Sequence, residues 1–129
     1  MNIIYKECCC FNKDDLEGLF LSVDWNSGKY PDKLVEAIKH YPTVYSAWDK
    51  NKLVGLICVM DDHVMNAYIH YLLVEPKYQG KGIGKKLVEM VKDKYKDYIN
   101  LVLISYKESI SFYEKYGFKE SDDSLPMSL

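Results

Sequence analysis

The middle of the chain carries three runs rich in Val, Ile, Leu and Tyr, separated by short polar turns. The runs are residues 43–48, 52–60 and 66–74. Apolar runs of this length, joined by turns of a few polar residues, are typical of neighbouring antiparallel strands. The sequence therefore predicts three antiparallel strands at the centre of the fold.

A helix and a further strand follow the third run. Pro76 ends that strand, and apolar side chains then recur from Gly82 to Tyr95 with a period near 3.6 residues, as one buried helical face requires. Residues 101–104 form another continuous apolar run. A strand–helix–strand unit of this size normally places its two strands parallel, so we expect a mixed sheet.

Further helices are expected on both sides of this region. Asn12 can cap one helix, and Pro31 suits the first turn of the next. Ile110, Tyr113 and Tyr116 can share one face of a short helix that Gly117 ends in the left-handed conformation. The pattern predicts an α/β fold in the order βααβββαβα, with an optional short strand near the end.

Composition limits the class of protein. A length of 129 residues fits a single domain spanning 1–129, and 48% hydrophobic and 28% charged residues are ordinary for a folded chain. The longest apolar run, 53–60, is far below the roughly 20 residues of a membrane-spanning helix. Because Lys6 and Glu7 interrupt the first apolar run, we expect no signal peptide, no membrane contact and a cytoplasmic location.

Charge is balanced overall but uneven along the chain. The formal net charge of −2 argues against a nucleic-acid partner. Residues 76–88, however, contain four lysines and no acid, which leaves the remainder of the chain at −6. This segment predicts a local site for an anion.

The four cysteines show no metal-ligand spacing. Cys8, Cys9 and Cys10 are consecutive, and Cys58 stands alone in an apolar run. We interpret them as reduced thiols, with no metal and no nucleophilic cysteine.

Residues 78–85 form a glycine-rich segment, YQGKGIGK, between a predicted strand and a predicted helix. Backbone N–H groups and the helix dipole can hold a phosphate at such a position. A dinucleotide-binding fingerprint would require glycine at Lys85, and a P-loop would require a lysine followed by Ser or Thr after Gly84. Neither pattern is present, and a glycine-rich turn without a ligand remains an alternative.

Two segments carry a specific resemblance. Residues 72–84 combine LLVEP with the pattern Q-x-x-G-x-G, and residues 112–118 read FYEKYGF. These segments resemble motifs A and B of the GCN5-related N-acetyltransferases, the GNAT superfamily. With the order of the elements, the resemblance covers roughly residues 2–120.

The resemblance implies acetyl-coenzyme A as acetyl donor, bound where the fourth and fifth strands splay apart. The loop would hold the pyrophosphate through backbone N–H groups, and Gln79 would shape the loop or reach a phosphate. The fourth strand would bind the pantetheine arm and polarise the thioester carbonyl through one N–H. The residues implied in donor binding are Leu72, Leu73, Val74, Gln79, Gly80, Lys81, Gly82, Ile83, Gly84 and Lys85.

One position departs from the family pattern. Many relatives carry asparagine seven residues before the motif-B tyrosine, where this chain has Tyr106. The resemblance implies that Tyr106 takes this place at the pantetheine arm with a hydroxyl instead of an amide. It also implies that the usual final hairpin is reduced to residues 125–129, an edge that a partner subunit could complete.

Two side chains are candidates for proton transfer. Tyr113 can protonate the departing thiolate, since its ordinary pKa is near 10. His70 takes a position where relatives carry a histidine or glutamate proposed to deprotonate the amine. Glu75 is the rival base, and both Tyr113 and His70 could instead serve only in packing.

For the acceptor, the family builds its pocket from the segment between the first two helices and from the central strands. Aromatic faces with a carboxylate would suit a cationic amine. Core packing of Trp25 and solvation of Asp24 are the simpler interpretation. The candidate acceptor-binding residues are Asp24, Trp25, Tyr30, Tyr68 and Tyr71.

The sequence thus predicts an N-acetyltransferase in which a primary amine of a small molecule or peptide attacks acetyl-coenzyme A directly, without a metal or covalent enzyme intermediate. The alternative is a non-catalytic acyl-coenzyme A-binding module of the same fold. An interaction domain without a nucleotide ligand is disfavoured by the lysines of the glycine-rich segment. The chain could act as a monomer or a homodimer.

Overall fold

The computed structural model describes residues 1–129, and its five strands form one mixed sheet in the order β1-β2-β3-β4-β5. Neighbouring strands are antiparallel except for the parallel pair β4 and β5. The strands are β1 (Ile3–Glu7), β2 (Thr43–Asp49), β3 (Lys52–Asp61), β4 (Asn66–Val74) and β5 (Asn100–Leu103). The helices are α1 (Lys13–Ser22), α2 (Pro31–Ile38), α3 (Ile83–Lys94) and α4 (Ile110–Glu114). The predicted α/β class, mixed sheet and order βααβββαβα are confirmed.

The helices begin where the sequence predicts. The Asn12 side chain accepts a hydrogen bond from the Asp14 N–H at 2.7 Å, and Pro31 opens α2. Gly117 has a φ of +92°, as expected for a left-handed residue. Helix α4 ends at Glu114, so Tyr116 lies in the turn that follows rather than on the helix itself. None of the helices is long and apolar enough to cross a lipid bilayer.

The optional strand near the end is not formed. No regular structure follows Gly117, and every side chain from Lys119 onward is exposed. Residues 121–124 are all polar, and Pro126 has no N–H to contribute to a strand ladder. The expectation of a strand over 125–129 was therefore wrong for this structure.

The sheet separates two apolar cores. One face packs against α3, through Ile83, Leu87, Val88 and Val91. The opposite face packs against α1 and α2, and its buried side chains include Leu16, Leu19, Phe20, Leu34 and Ile38. Helices on both faces hold the central strands in place, so the ends of β4 and β5 have a rigid frame.

Strand β4 changes its pairing at two points. Its ladder with β3 passes from Val59–Ile69 to Cys58–Tyr71, which leaves His70 as the extra residue of a β-bulge. Its ladder with β5 ends at the pair Ile69–Leu103, although β4 continues for five more residues. The two strands consequently diverge beyond this point, as the resemblance implied.

Candidate active site

A cleft of about 760 Å³ opens where β4 and β5 diverge. Its walls come from the second half of β4, the glycine-rich segment 78–85, the chain leaving β5, and α4. Hydrophobic residues form 14 of its 24 lining residues, as is common for sites that bind organic molecules. Both His70 and Tyr113 line this cleft.

The glycine-rich segment presents a run of free backbone donors. None of the N–H groups from Gly80 to Lys85 donates a hydrogen bond to another group of the protein. Gly80 and Gly82 have φ values of +76° and +86°, and Gly82 caps the start of α3. Left-handed residues in such a turn can direct neighbouring N–H groups toward one anion, and the N-terminus of α3 favours negative charge nearby.

Two hydrogen bonds hold the segment in this shape. The Tyr78 hydroxyl donates to Oδ2 of Asp49 at 2.6 Å, which ties the segment to the end of β2. The Gln79 side-chain amide donates to the Val74 carbonyl at 2.9 Å. This hydrogen bond links Gln79 to the end of β4.

The open edge of β4 carries polar backbone groups into the cleft. The Glu75 N–H donates to the Val54 carbonyl at 2.8 Å, so alternate residues of β4 bond to β3. By this alternation the N–H and C=O groups of Leu72 and Val74 point toward the gap, whereas those of Leu73 face β3. The Leu73 side chain is buried in the core beneath α1 and α2.

The lysines of the segment are free to meet an anion. Lys85 lines the cleft, whereas Lys81 does not. Neither lysine forms an ion pair within the protein. Close packing behind the segment depends on Gly84, because a Cβ there would lie 3.3 Å from the Phe112 ring.

Tyr113 stands at the cleft without a hydrogen-bond partner. Its ring packs edge-on against Phe112 and Phe118, with centroid separations of 5.2 and 6.0 Å. Burial raises the pKa of its hydroxyl to about 12. The hydroxyl therefore keeps its proton throughout the neutral range and can donate it to a group in the cleft.

The His70 ring contacts Tyr41 and Tyr71 and also lines the cleft. Its Nδ1 lies 2.5 Å from the Tyr41 hydroxyl, and its ring stacks on Tyr71 at 4.2 Å between centroids. Burial lowers the pKa of His70 below its ordinary value, because desolvation disfavours the charged form. The imidazole is consequently neutral at pH 7.

Glu75, the alternative base, is engaged elsewhere. Its carboxylate accepts a hydrogen bond from the Lys77 N–H at 3.1 Å and caps the short turn over Pro76–Tyr78. It does not line the cleft. The geometry therefore favours His70 over Glu75 as a base.

The candidate acceptor residues fall into separate groups. Trp25 and Tyr106 line the cleft, and their rings lie 6.4 Å apart. Tyr30 and Tyr71 line a neighbouring cavity of about 270 Å³ instead. Tyr68 packs against His70 at 5.6 Å, outside the lining of either cavity.

Asp24 also departs from the expected arrangement. Its side chain is exposed, its φ is +59°, and it lines neither cavity. The idea of a carboxylate beside the aromatic rings is therefore not supported at Asp24. The carboxylate that does line the cleft is Glu108, which the sequence reasoning did not single out.

Sequence reasoning also missed Tyr41, Ser105 and Phe112. Tyr41 is 29 residues from His70, and no motif connects them. Ser105 and Phe112 lie next to positions already assigned, so the motif-B spacing could have identified them.

Solved structures share this architecture. A GNAT-family acetyltransferase from Streptococcus pneumoniae superposes with a TM-score of 0.82 and 26% identity, covering 99% of this chain and 97% of that chain. An acetyltransferase from Clostridium acetobutylicum, solved with acetyl-CoA, has a TM-score of 0.69 at 16% identity and covers 98% of this chain and 96% of that chain. At 16% identity this second likeness shows the fold alone.

Sequence comparison gives the family. Residues 22–126 match the family described as "Acetyltransferase (GNAT) domain", and the chain belongs to this family. An uncharacterized N-acetyltransferase, ycf52, of Porphyra purpurea is 33% identical over 121 residues, covering 88% of this chain and 68% of that protein. The resemblance drawn from motifs A and B is confirmed.

A plant relative is matched over a shorter stretch. "GCN5-related N-acetyltransferase 2, chloroplastic" of Arabidopsis thaliana is 35% identical over 78 residues, covering 59% of this chain. The chain spans 30% of that relative's length, and about a third of the other plant relatives it matches.

Proposed function

We propose that this protein transfers the acetyl group of acetyl-coenzyme A to a primary amine. The observation that supports this most directly is the run of six free N–H groups from Gly80 to Lys85, which opens into a cleft containing both His70 and Tyr113. The donor would supply an activated acetyl group on a thioester. Phosphate oxygens suit the free N–H groups and the unpaired Lys85.

The chain's own groups suit the remaining tasks. The outward N–H groups of Leu72 and Val74 are placed to hydrogen-bond a carbonyl oxygen in the gap between the strands. In acyl-transfer enzymes one such donor contributes roughly 3 kcal/mol to the rate, because it stabilises the negative charge that develops on oxygen. The hydrophobic lining residues would pack against the apolar parts of the donor and the acceptor.

Proton transfer is assigned to two residues. Neutral His70 would accept a proton from the attacking amine through Nε2, since Nδ1 is engaged by Tyr41. Tyr113 would donate its proton to the departing sulfur. The two groups line the same cleft, so both proton transfers can occur within one ternary complex.

The acceptor is an amine that fits an aromatic surface. Trp25, His70 and Tyr106 line the acceptor side of the cleft, and the Tyr71 ring packs against both Trp25 and His70. Such rings bind alkyl or aryl amines by contact and, when the amine is charged, by cation–π attraction. Glu108 adds a carboxylate to the lining. A small-molecule amine or a peptide amine would both suit these groups.

The decisive experiment measures binding before turnover. Acetyl-coenzyme A should raise the melting temperature, because a ligand of the native state stabilises it by mass action. Release of free thiol is then followed over a panel of polyamines, aminoglycosides, arylalkylamines and peptide N-termini. Failure to bind would contradict the whole proposal, whereas binding without amine-dependent thiol release would favour the non-catalytic module.

A further inference from the structure

The imidazole of His70 has a defined partner on the side away from the cleft. Tyr41, which is 9% exposed, lies in the loop between α2 and β2 and packs into the core beneath these elements. Its hydroxyl lies 2.5 Å from Nδ1 of His70. Both groups lie on the sheet face toward α1 and α2, because Ile69 packs on the α3 side and its neighbour His70 therefore points to the opposite face. The bulge then keeps the Tyr71 ring on that same face, beside His70.

We propose that Tyr41 is a positioning residue for His70: its hydroxyl accepts a hydrogen bond from Nδ1–H and so leaves the lone pair of Nε2 directed into the cleft. This inference rests on the proposed function, in which His70 takes the proton of the amine. A neutral imidazole carries one proton, so its accepting nitrogen is the one that Tyr41 leaves free.

The same contact supports the charged form. When Nε2 takes the proton from the amine nitrogen, both ring nitrogens are donors, and the Tyr41 hydroxyl oxygen accepts from Nδ1–H. No bond to carbon changes in this step; the proton moves from the amine to Nε2 and remains there. Tyr41 resembles in this respect the group that orients the histidine of a catalytic triad, but it carries no charge.

The Tyr41 hydroxyl can accept this hydrogen bond and still keep its own proton. Burial raises the pKa of Tyr41 above its ordinary value, and the neighbouring Tyr71 adds to this effect. Tyr41 is therefore a protonated phenol throughout the neutral range. A hydroxyl has one proton to donate and two lone pairs to accept with.

No charged group competes with Tyr41 for His70. The rings that pack on His70 belong to Tyr41, Tyr68 and Tyr71, and no ion pair reaches it. Across the cleft the ionisable lining groups are Lys85, Tyr106, Glu108, Tyr113, Lys115 and Tyr116, together with Tyr78 on the loop.

The tautomer can be observed directly by NMR of the ring nitrogens. The chain has three histidines, and His70→Gln identifies which signal belongs to His70. We expect Nδ1 of His70 to carry the proton at neutral pH in the wild type. In Tyr41→Phe, which keeps the ring but removes the hydroxyl, the signal should shift toward the Nε2–H form that histidine favours in water.

Kinetics provide the second measurement. In Tyr41→Phe the pKa seen in the acid limb of kcat/KM should fall by about one unit, because the imidazolium loses its acceptor. The plateau should fall about tenfold or more, with the Kd of acetyl-coenzyme A unchanged. If Tyr41 had only a structural role, the pKa of the acid limb of kcat/KM would be the same in Tyr41→Phe as in the wild type.

The wild-type spectrum alone can overturn the proposal. Finding the proton on Nε2 of His70 would show that Tyr41 donates instead of accepting, even if Tyr41→Phe did not fold. Because this measurement needs no turnover, its failure is distinguishable from failure of the proposed function, which would appear as absent thiol release.

Discussion

Replacement of Gly82 by alanine tests the conformation of the glycine-rich segment. Gly82 has φ +86° and ψ 5°, a left-handed geometry that costs an L-residue roughly 1–2 kcal/mol. A Cβ at this position meets nothing within 4 Å, so the whole penalty comes from the backbone. In Gly82→Ala either the native state loses this free energy or the segment leaves the conformation that exposes its N–H groups.

The two responses are separated by two measurements. If the glycine-rich segment keeps its conformation in Gly82→Ala, the free energy of unfolding should fall by about 1–2 kcal/mol. If the segment leaves that conformation, coenzyme A binding should weaken by about 5- to 30-fold. Thermal denaturation measures the first and calorimetric titration with coenzyme A the second.

Gly18→Ala is the matched control. Gly18 lies inside α1, has no left-handed φ, and has open space around its Cα, so alanine should stabilise the protein by about 0.5–1 kcal/mol without changing coenzyme A affinity. If Gly82→Ala behaved like Gly18→Ala in both assays, the left-handed geometry would be irrelevant to stability and binding.

Three further substitutions probe the proposed roles. Tyr113→Phe should lower kcat by about 10²- to 10⁴-fold with unchanged acetyl-coenzyme A affinity, as measured by thiol release under conditions where chemistry limits the rate. Equal rates would remove Tyr113 as the acid. His70→Gln should abolish an acid limb that lies below pH 6.5, since burial lowers the pKa of His70 and its neutral form is the base. The wild type should show no alkaline limb from Tyr113 below about pH 11, because its pKa is about 12. Tyr78→Phe removes the bond to Asp49 and should weaken coenzyme A binding a few-fold with kcat retained, whereas unchanged affinity would show that this bond does not shape the loop.

Local patterns were sufficient to predict most of the fold. Alternating apolar runs, Asn12 and Pro31 identify elements whose formation depends on residues close in sequence. Residues 125–129, where the optional strand was expected, form no ladder with the edge strand β5; Pro126 has no N–H to donate, and the preceding residues 121–124 are all polar. Helix α4 ended early for a related reason, since a five-residue helix is held by packing more than by its own pattern.

The site was less accessible to sequence reasoning. Gly82 and Tyr113 belong to the two motifs, and both line the cleft together with His70. Tyr41 reaches His70 only through the tertiary fold, and Asp24, whose φ is +59°, is exposed and lines neither cavity. Contacts between distant segments leave no periodic signal in the chain, so motif reasoning did not identify Tyr41 or Glu108.

The bulge at His70 changes which face of the sheet the following side chains of β4 occupy. In a regular strand adjacent side chains point to opposite faces, so His70 and Tyr71 would be separated by the sheet. The extra residue instead places both rings on the face toward α1 and α2, stacked at 4.2 Å. It also shifts the alternation, so that Leu72 and Val74 pack toward α3 beyond the bulge as Ala67 and Ile69 do before it.

This shift has a chemical consequence. The residues after the bulge lie beyond the end of pairing with β5, so their outward N–H groups have no strand to bond. In the proposed mechanism the proton acceptor lies at the bulge, and the backbone donors that would bind the carbonyl lie just beyond it. The geometry of proton acceptance and of carbonyl polarisation would then be set by the β4 backbone, which lies between two packed cores.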